Sequence, residues 1–164
     1  MKYKIIDNFL SLEKCQNLIN MEHDWHVDPV IGHDGEINEY GHLIRQVKQS
    51  FVPHLFEEWD GGKVLGTKVT MYEVGDFVKE HRDRTGMLHS DCYEPGLDLR
   101  SKDLMIIPLN EDYEGGEFRF FGGLVKVSLS AGEAMLFPGE PIWIHGTEPV
   151  TKGARYSINC FLRQ

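Results

Sequence analysis

The apolar positions of this chain follow two different rhythms. In the first third they recur at three- and four-residue steps; from Lys63 onward they come in short β-rich runs separated by turn residues. "YKIIDNF" reads as a short strand. "SLEKCQNLINMEHDW" reads as a helix: Ser11 can cap it, and Leu12, Cys15, Leu18 and Ile19 share a face. A second helix is expected over "HLIRQVKQSFVPHLFEEW", where Ile44, Val47, Phe51 and Leu55 keep helical spacing, Pro53 kinks or divides it, and "DGGK" ends it.

The later runs are "KVTMYEV", "FVKEH", "LMIIPL", "GEFRFF", "LVKVSL", "EAMLFP", "IWIHGT" and "RYSINCFL", with "NEDYEGG", "FGG", "SAGE", "PGEP" and "TKGA" among the breaks. So many short strands point to a mainly β fold, a double-sheet jelly roll or barrel, with the two N-terminal helices covering the outside of one sheet. Residues 1–164 are read as one domain, helical over about 1–62 and jelly roll over about 63–164. Met105, Ile107 and Leu109 alternate on one strand face, expected as packing, and Gly115-Gly116 is expected to make a turn. The segment "RDRTGMLHSDCYEPGLDLRSKD" carries no clear element. A loop of that length is either a lid over a site or a disordered excursion, and both readings stand for 84–103.

Composition changes little: 41% hydrophobic and 26% charged residues are an ordinary globular balance. The net charge of −9 argues against a nucleic-acid partner, which needs a basic footprint. Cys15, Cys92 and Cys160 are scattered, odd in number and without a CxxC, so they read as buried thiols in a reducing compartment. No apolar run is long enough for a signal peptide or a membrane span, and a cytoplasmic monomer or small homo-oligomer is expected.

The chemistry lies in "VKEHRD". Residues i and i+2 of a strand share a face, so His81 and Asp83 bring an imidazole and a carboxylate to one point. His145 lies on a later strand. A hairpin centred near Val150 would set Arg155 opposite it, about 5 Å away, with Ser157 on the same face as Arg155. Two histidines and one carboxylate with open positions suit non-haem Fe(II). A guanidinium at that depth needs an anion, and its fork grips a carboxylate with two hydrogen bonds, which describes a site for a dicarboxylic keto acid. Arg84, Trp143 and Arg119 are candidate substrate contacts, as is Arg100, against the plainer readings of exposed arginine and a core tryptophan. His23, Asp24, His26, Asp28 and His33 form a second polar cluster, either a solvated helix end or a second metal site.

The segments "MYEVGDFVKEHRD", "YEGGEFRFF", "AGEAMLFPG" and "IHGTEPVTKGARYSINCFL" together resemble the Fe(II)- and 2-oxoglutarate-dependent dioxygenases, in their prolyl 4-hydroxylase-like branch. The family's HxD…H triad falls on His81, Asp83 and His145, and its basic residue falls on Arg155, where collagen-type members usually carry lysine. Tyr72 matches the family's tyrosine that bonds the distal carboxylate, and Ser157 matches its R-x-S arrangement. The resemblance implies a hydroxylase that uses Fe(II) and 2-oxoglutarate, with ascorbate as a supporting reductant and succinate and CO2 as co-products. Its implied acceptor is a prolyl residue of a peptide or protein, or a small molecule. Asp83 in the triad leaves no vacancy for a halide and argues against halogenation. A cupin-like module that binds a metal or small acid without turnover stays open as the alternative.

Overall fold

A computed structural model of the chain describes residues 3–27, 30–31, 43–52, 55, 58–59, 62–81, 103–139 and 142–163. The chain begins with β1 (Lys4–Ile6) and the single described α-helix, α1 (Leu12–Asn20). There follow β2 (His26–Val27), β3 (Val30–Ile31), β4 (Leu43–Gln46), β5 (Lys48–Phe51), β6 (Glu58–Trp59), β7 (Gly62–Tyr72) and β8 (Phe77–His81). The second half holds β9 (Asp103–Pro108), β10 (Glu114–Gly115), β11 (Phe118–Phe120), β12 (Val125–Val127) and β13 (Ala134–Pro138). It ends with β14 (His145–Thr147), β15 (Val150–Lys152) and β16 (Arg155–Arg163).

The larger sheet runs β1-β13-β9-β16-β7-β5-β2, with β6 also on β7; the smaller runs β12-β11-β14-β8-β4-β3, and β10 pairs β15 apart from both. The expected jelly roll, a double-stranded β-helix, is thus formed. Helix α1 starts where the sequence places it. The Ser11 hydroxyl accepts from the Lys14 amide at 3.2 Å, satisfying one of the orphan donors of the first turn. Cys15 and Leu18 turn inward onto the larger sheet, meeting Val69, Ile107, Ile158 and Leu162.

The second expected helix does not form. Residues 43–59 instead carry β4, β5 and β6, and β5 pairs β7 from Lys48↔Met71 to Phe51↔Lys68. The three- and four-residue spacing is there, but so are β-branched and aromatic residues, and Pro53 removes an amide that a helix interior would need. Strand β7 presents a row of backbone donors and acceptors on this side, and pairing with it satisfies groups that a helix would leave open. Pro53 itself and the long segment 84–102 lie outside the described residues.

Strand parity sorts side chains into two layers. On β9, Met105 and Ile107, with Leu109 just beyond, face α1, as packing residues should; Leu104 and Ile106 face the interior between the sheets. On β16, Ile158, Cys160 and Leu162 face α1, while Phe161 joins the interior cluster around Phe118, Phe120, Phe137 and Trp143. Arg155, Ser157 and Asn159 share the parity of Phe161, so the same strand that closes the outer core carries polar groups inward.

Cys15 and Cys160 are free thiols, 1% exposed each. Burial raises the Cys160 thiol to about 12, against a smaller lowering by its hydrogen bond to Thr67, and burial likewise raises Cys15. In a Cys92→Ser background, both are therefore expected to stay unlabelled by an alkylating reagent at mildly alkaline pH and to react on unfolding. Time-resolved labelling with mass detection tests this; rapid labelling of either thiol in the folded chain contradicts it.

Candidate metal and anion site

His81 closes β8 and His145 opens β14, and the antiparallel register sets these two residues directly opposite each other. Their ring centroids are 4.5 Å apart. In both, Nδ1 lies 2.8 Å from the carbonyl oxygen two residues earlier, Lys79 for His81 and Trp143 for His145. A carbonyl only accepts, so each Nδ1 holds a proton, and in the neutral ring the lone pair lies on Nε2. That tautomer is the one in which imidazole binds a metal through Nε2, with ring orientation set by the second nitrogen. Phe118 and Phe137 pack against the His145 ring at centroid distances of 5.6 and 5.1 Å. Gly146 lets the two strands approach: a Cβ there would sit 2.8 Å from the Val78 carbonyl oxygen.

The anion end comes from the other sheet. Arg155 faces Tyr72 across the β16–β7 ladder, with the guanidinium carbon 4.8 Å from the ring centroid. Both are buried, at 4% and 3% exposure. Asn110 staples the backbone on either side of Arg155, donating to the Ala154 carbonyl at 2.7 Å and accepting from the Tyr156 amide at 2.8 Å. The arginine stem lies against Gly116, where a Cβ would come within 3.0 Å of its Cδ; the Gly115-Gly116 turn thus also clears a path. One guanidinium nitrogen, Nη1, donates to the Ser157 hydroxyl at 3.3 Å, and Nε is buried with no partner among the described residues. Among the described residues no carboxylate pairs with Arg155. A buried cation without a counter-charge is costly, and an anionic ligand between the sheets would relieve that cost.

His81, His145, Tyr72 and Arg155 line one cavity, joined by Thr70 and Thr147. The two threonines were not anticipated from sequence. Strand parity held the signal, since Thr147 is two positions after His145 and Thr70 two before Tyr72.

Other expectations need correction. Arg155 is not opposite His145 in a hairpin, because β14 pairs β8 and β11, β15 pairs β10, and β16 enters the larger sheet between β7 and β9. Pro149 has no amide to extend the β14 ladder, and Gly153, at φ 74, turns the chain toward the other sheet. The arginine therefore meets the histidines from the facing wall. Arg119 does not face the cavity. Its neighbours Phe118 and Phe120 point inward, so it points out, bound to Glu148 and 3.7 Å from Glu80. Trp143 is wedged against Phe120 and Phe121 and is absent from the cavity wall, so its side chain fills the core while its carbonyl orients His145.

Asp83, Arg84 and Arg100 lie outside the described residues, as do Asp28 and His33 of the second polar cluster. In that cluster His23 Nε2 donates to the Leu18 carbonyl at 2.7 Å and its ring lies against Trp25, while His26 stacks on Phe51. Among the described residues no three His, Cys, Asp or Glu side chains converge on one point.

Residues 67–163 match the 2OG-Fe(II) oxygenase superfamily. A stretch of 49 residues, 29% of this chain, is 49% identical to a PKHD-type hydroxylase of Pseudomonas fluorescens, and spans 21% of that protein's length. A solved structure of viral collagen prolyl hydroxylase vCPH from Paramecium Bursaria Chlorella virus-1, as a 2OG complex, superposes with a TM-score of 0.65 at 20% identity, covering 98% of this chain and 94% of that one. A prolyl hydroxylase of Trichoplax adhaerens, in complex with a hypoxia inducible factor oxygen degradation domain peptide fragment, gives 0.62 at 15% identity, over 98% and 83% of the two chains.

Proposed function

The chain belongs to the 2OG-Fe(II) oxygenase superfamily, and from that membership we propose that it is an Fe(II)- and 2-oxoglutarate-dependent hydroxylase. In this reading residues 1–164 act as one domain, and His81, Asp83 and His145 hold the metal. The described part of that set fits, since in both histidines Nδ1 is engaged by a backbone carbonyl and Nε2 is the nitrogen that would hold a metal. The bound metal would supply dioxygen activation coupled to decarboxylation of 2-oxoglutarate to succinate and CO2. Arg155 and Tyr72 take the distal carboxylate, Arg155 with its guanidinium and Tyr72 with its hydroxyl and a ring that shields the ion pair from water. The apolar wall of Phe118, Phe137 and Val78 excludes bulk water from the reacting end.

The observation that carries the reading is the buried guanidinium with no carboxylate among the described residues, in the same cavity as the histidine pair. A binding module that held only a metal would have no use for it. The acceptor we propose is a prolyl residue of a peptide or protein, supported by the prolyl hydroxylases of the same fold. Reduced, buried Cys15 and Cys160 support a cytoplasmic setting, and no helix among the described residues is long and apolar enough to cross a membrane.

With Fe(II), ascorbate and 2-oxoglutarate, the purified chain is expected to release succinate slowly without an acceptor, and faster with proline-containing peptides. Failure to bind 2-oxoglutarate in the metal-loaded state, together with no succinate release, would defeat the proposal and favour a plain metal-binding module.

A further inference from the structure

The Arg155 guanidinium is held by a small hydroxyl circuit that ends on Thr70. Thr70 lies on β7 directly across from Ser157 on β16, and both are buried, at 2% and 0% exposure. Thr70 Oγ1 is 2.8 Å from Ser157 Oγ and 3.1 Å from the Ser157 carbonyl oxygen. Each hydroxyl has a single hydrogen, and the carbonyl can only accept. Both contacts are satisfied together in one arrangement, with Thr70 donating to the carbonyl and Ser157 donating to Thr70. That leaves a lone pair of Ser157 Oγ turned to Arg155, whose Nη1 donates to it at 3.3 Å. Both hydroxyl hydrogens then have a partner, and the guanidinium keeps donors with none among the described residues, Nε among them.

We propose that Thr70 is a positioning residue for the anion clamp: through Ser157 it fixes the direction in which Arg155 presents its remaining donors to the distal carboxylate of the keto acid. Ser157 in this arrangement serves the arginine and does not donate to the ligand, because its only hydrogen is committed to Thr70. The proposal rests on the 2-oxoglutarate reading of the cavity. Without the Thr70 hydroxyl, the Ser157 hydrogen has no fixed acceptor, and the oxygen that orients Arg155 is free to rotate.

The test is calorimetric binding of 2-oxoglutarate and of 2-oxobutyrate, which lacks the distal carboxylate, to the chain loaded with Fe(II) under anaerobic conditions. Thr70→Val is expected to weaken 2-oxoglutarate by roughly three- to tenfold and leave 2-oxobutyrate unchanged, with Thr70→Ser restoring the wild-type value. On a Ser157→Ala background, the same substitution should have no further effect, since the circuit is already open. Unchanged or tighter 2-oxoglutarate binding by Thr70→Val would overturn the inference, tighter binding meaning that Ser157 touches the ligand itself. An equal loss for both acids, or a full additional loss in the double variant, would equally overturn it by showing general damage. Failure of the wild-type chain to bind 2-oxoglutarate would instead remove the reading beneath it.

Discussion

Arg155→Met is expected to do two opposite things. It should weaken 2-oxoglutarate binding by at least roughly a hundredfold, about 3 kcal/mol, because truncating one partner of a buried, hydrogen-bonded charge pair leaves the other unmatched. It should also leave the ligand-free chain as stable as wild type, or more so. In the absence of ligand the guanidinium is 4% exposed, paired with no carboxylate among the described residues and unpartnered at Nε. Replacing such a charge by an apolar side chain of similar length removes a desolvation cost. Methionine also keeps an unbranched stem against Gly116 and Tyr72, so packing is largely preserved. Thermal unfolding with and without saturating 2-oxoglutarate reads both effects: the ligand-induced rise in Tm should vanish, while the ligand-free Tm holds or rises. A large fall in the ligand-free Tm would mean that the arginine is a structural member of the core. Arg119→Met, outside the cavity, is the contrast, and its ligand-induced shift should match wild type.

The second large effect belongs to the histidines. Removing either ring is expected to lower metal affinity more than a hundredfold, since loss of an outer-shell partner alone typically costs 10–100-fold (order of magnitude). His145→Ala also opens space between Phe118 and Phe137, so His145→Gln is the better variant for separating ligation from packing. His81 is less enclosed, and His81→Ala serves directly. Equilibrium dialysis against Fe(II) or Mn(II) gives the affinity. Both variants should retain the folded-state shielding of Cys15 and Cys160, which lie in the separate layer under α1. Metal binding at wild-type strength in both would show that the facing pair is not the metal centre.

Some of this molecule was readable because the signal is local. Ser11 caps α1 by a bond to a residue three positions on, and the period-two face of a strand brings residues 155 and 157 together with no knowledge of the rest of the chain. The chemistry of the site was readable for the same reason. Imidazole and guanidinium each have few roles in an interior, so their presence on short β-rich runs narrowed the possibilities sharply.

What could not be read depends on which backbone lies alongside. Residues 43–59 carry a spacing that suits a helix, and only the open side of β7 decides for strands. Arg155 reaches the histidines from the opposite wall because Pro149 and Gly153 send the chain into the larger sheet, a choice made by pairing partners far away in sequence. Arg119 and Trp143 had the right side-chain chemistry for a pocket, and their directions were set by the aromatic cluster beneath them. The sequence by itself thus determined the β-rich class, the first helix and the imidazoles and guanidinium that line the cavity, since those follow from propensity, capping and the cost of burying charge. Only the tertiary structure decided the sheet partners, the wall from which each group projects and the Thr70–Ser157–Arg155 circuit, because hydrogen bonds between distant strands are satisfied only once those strands have met.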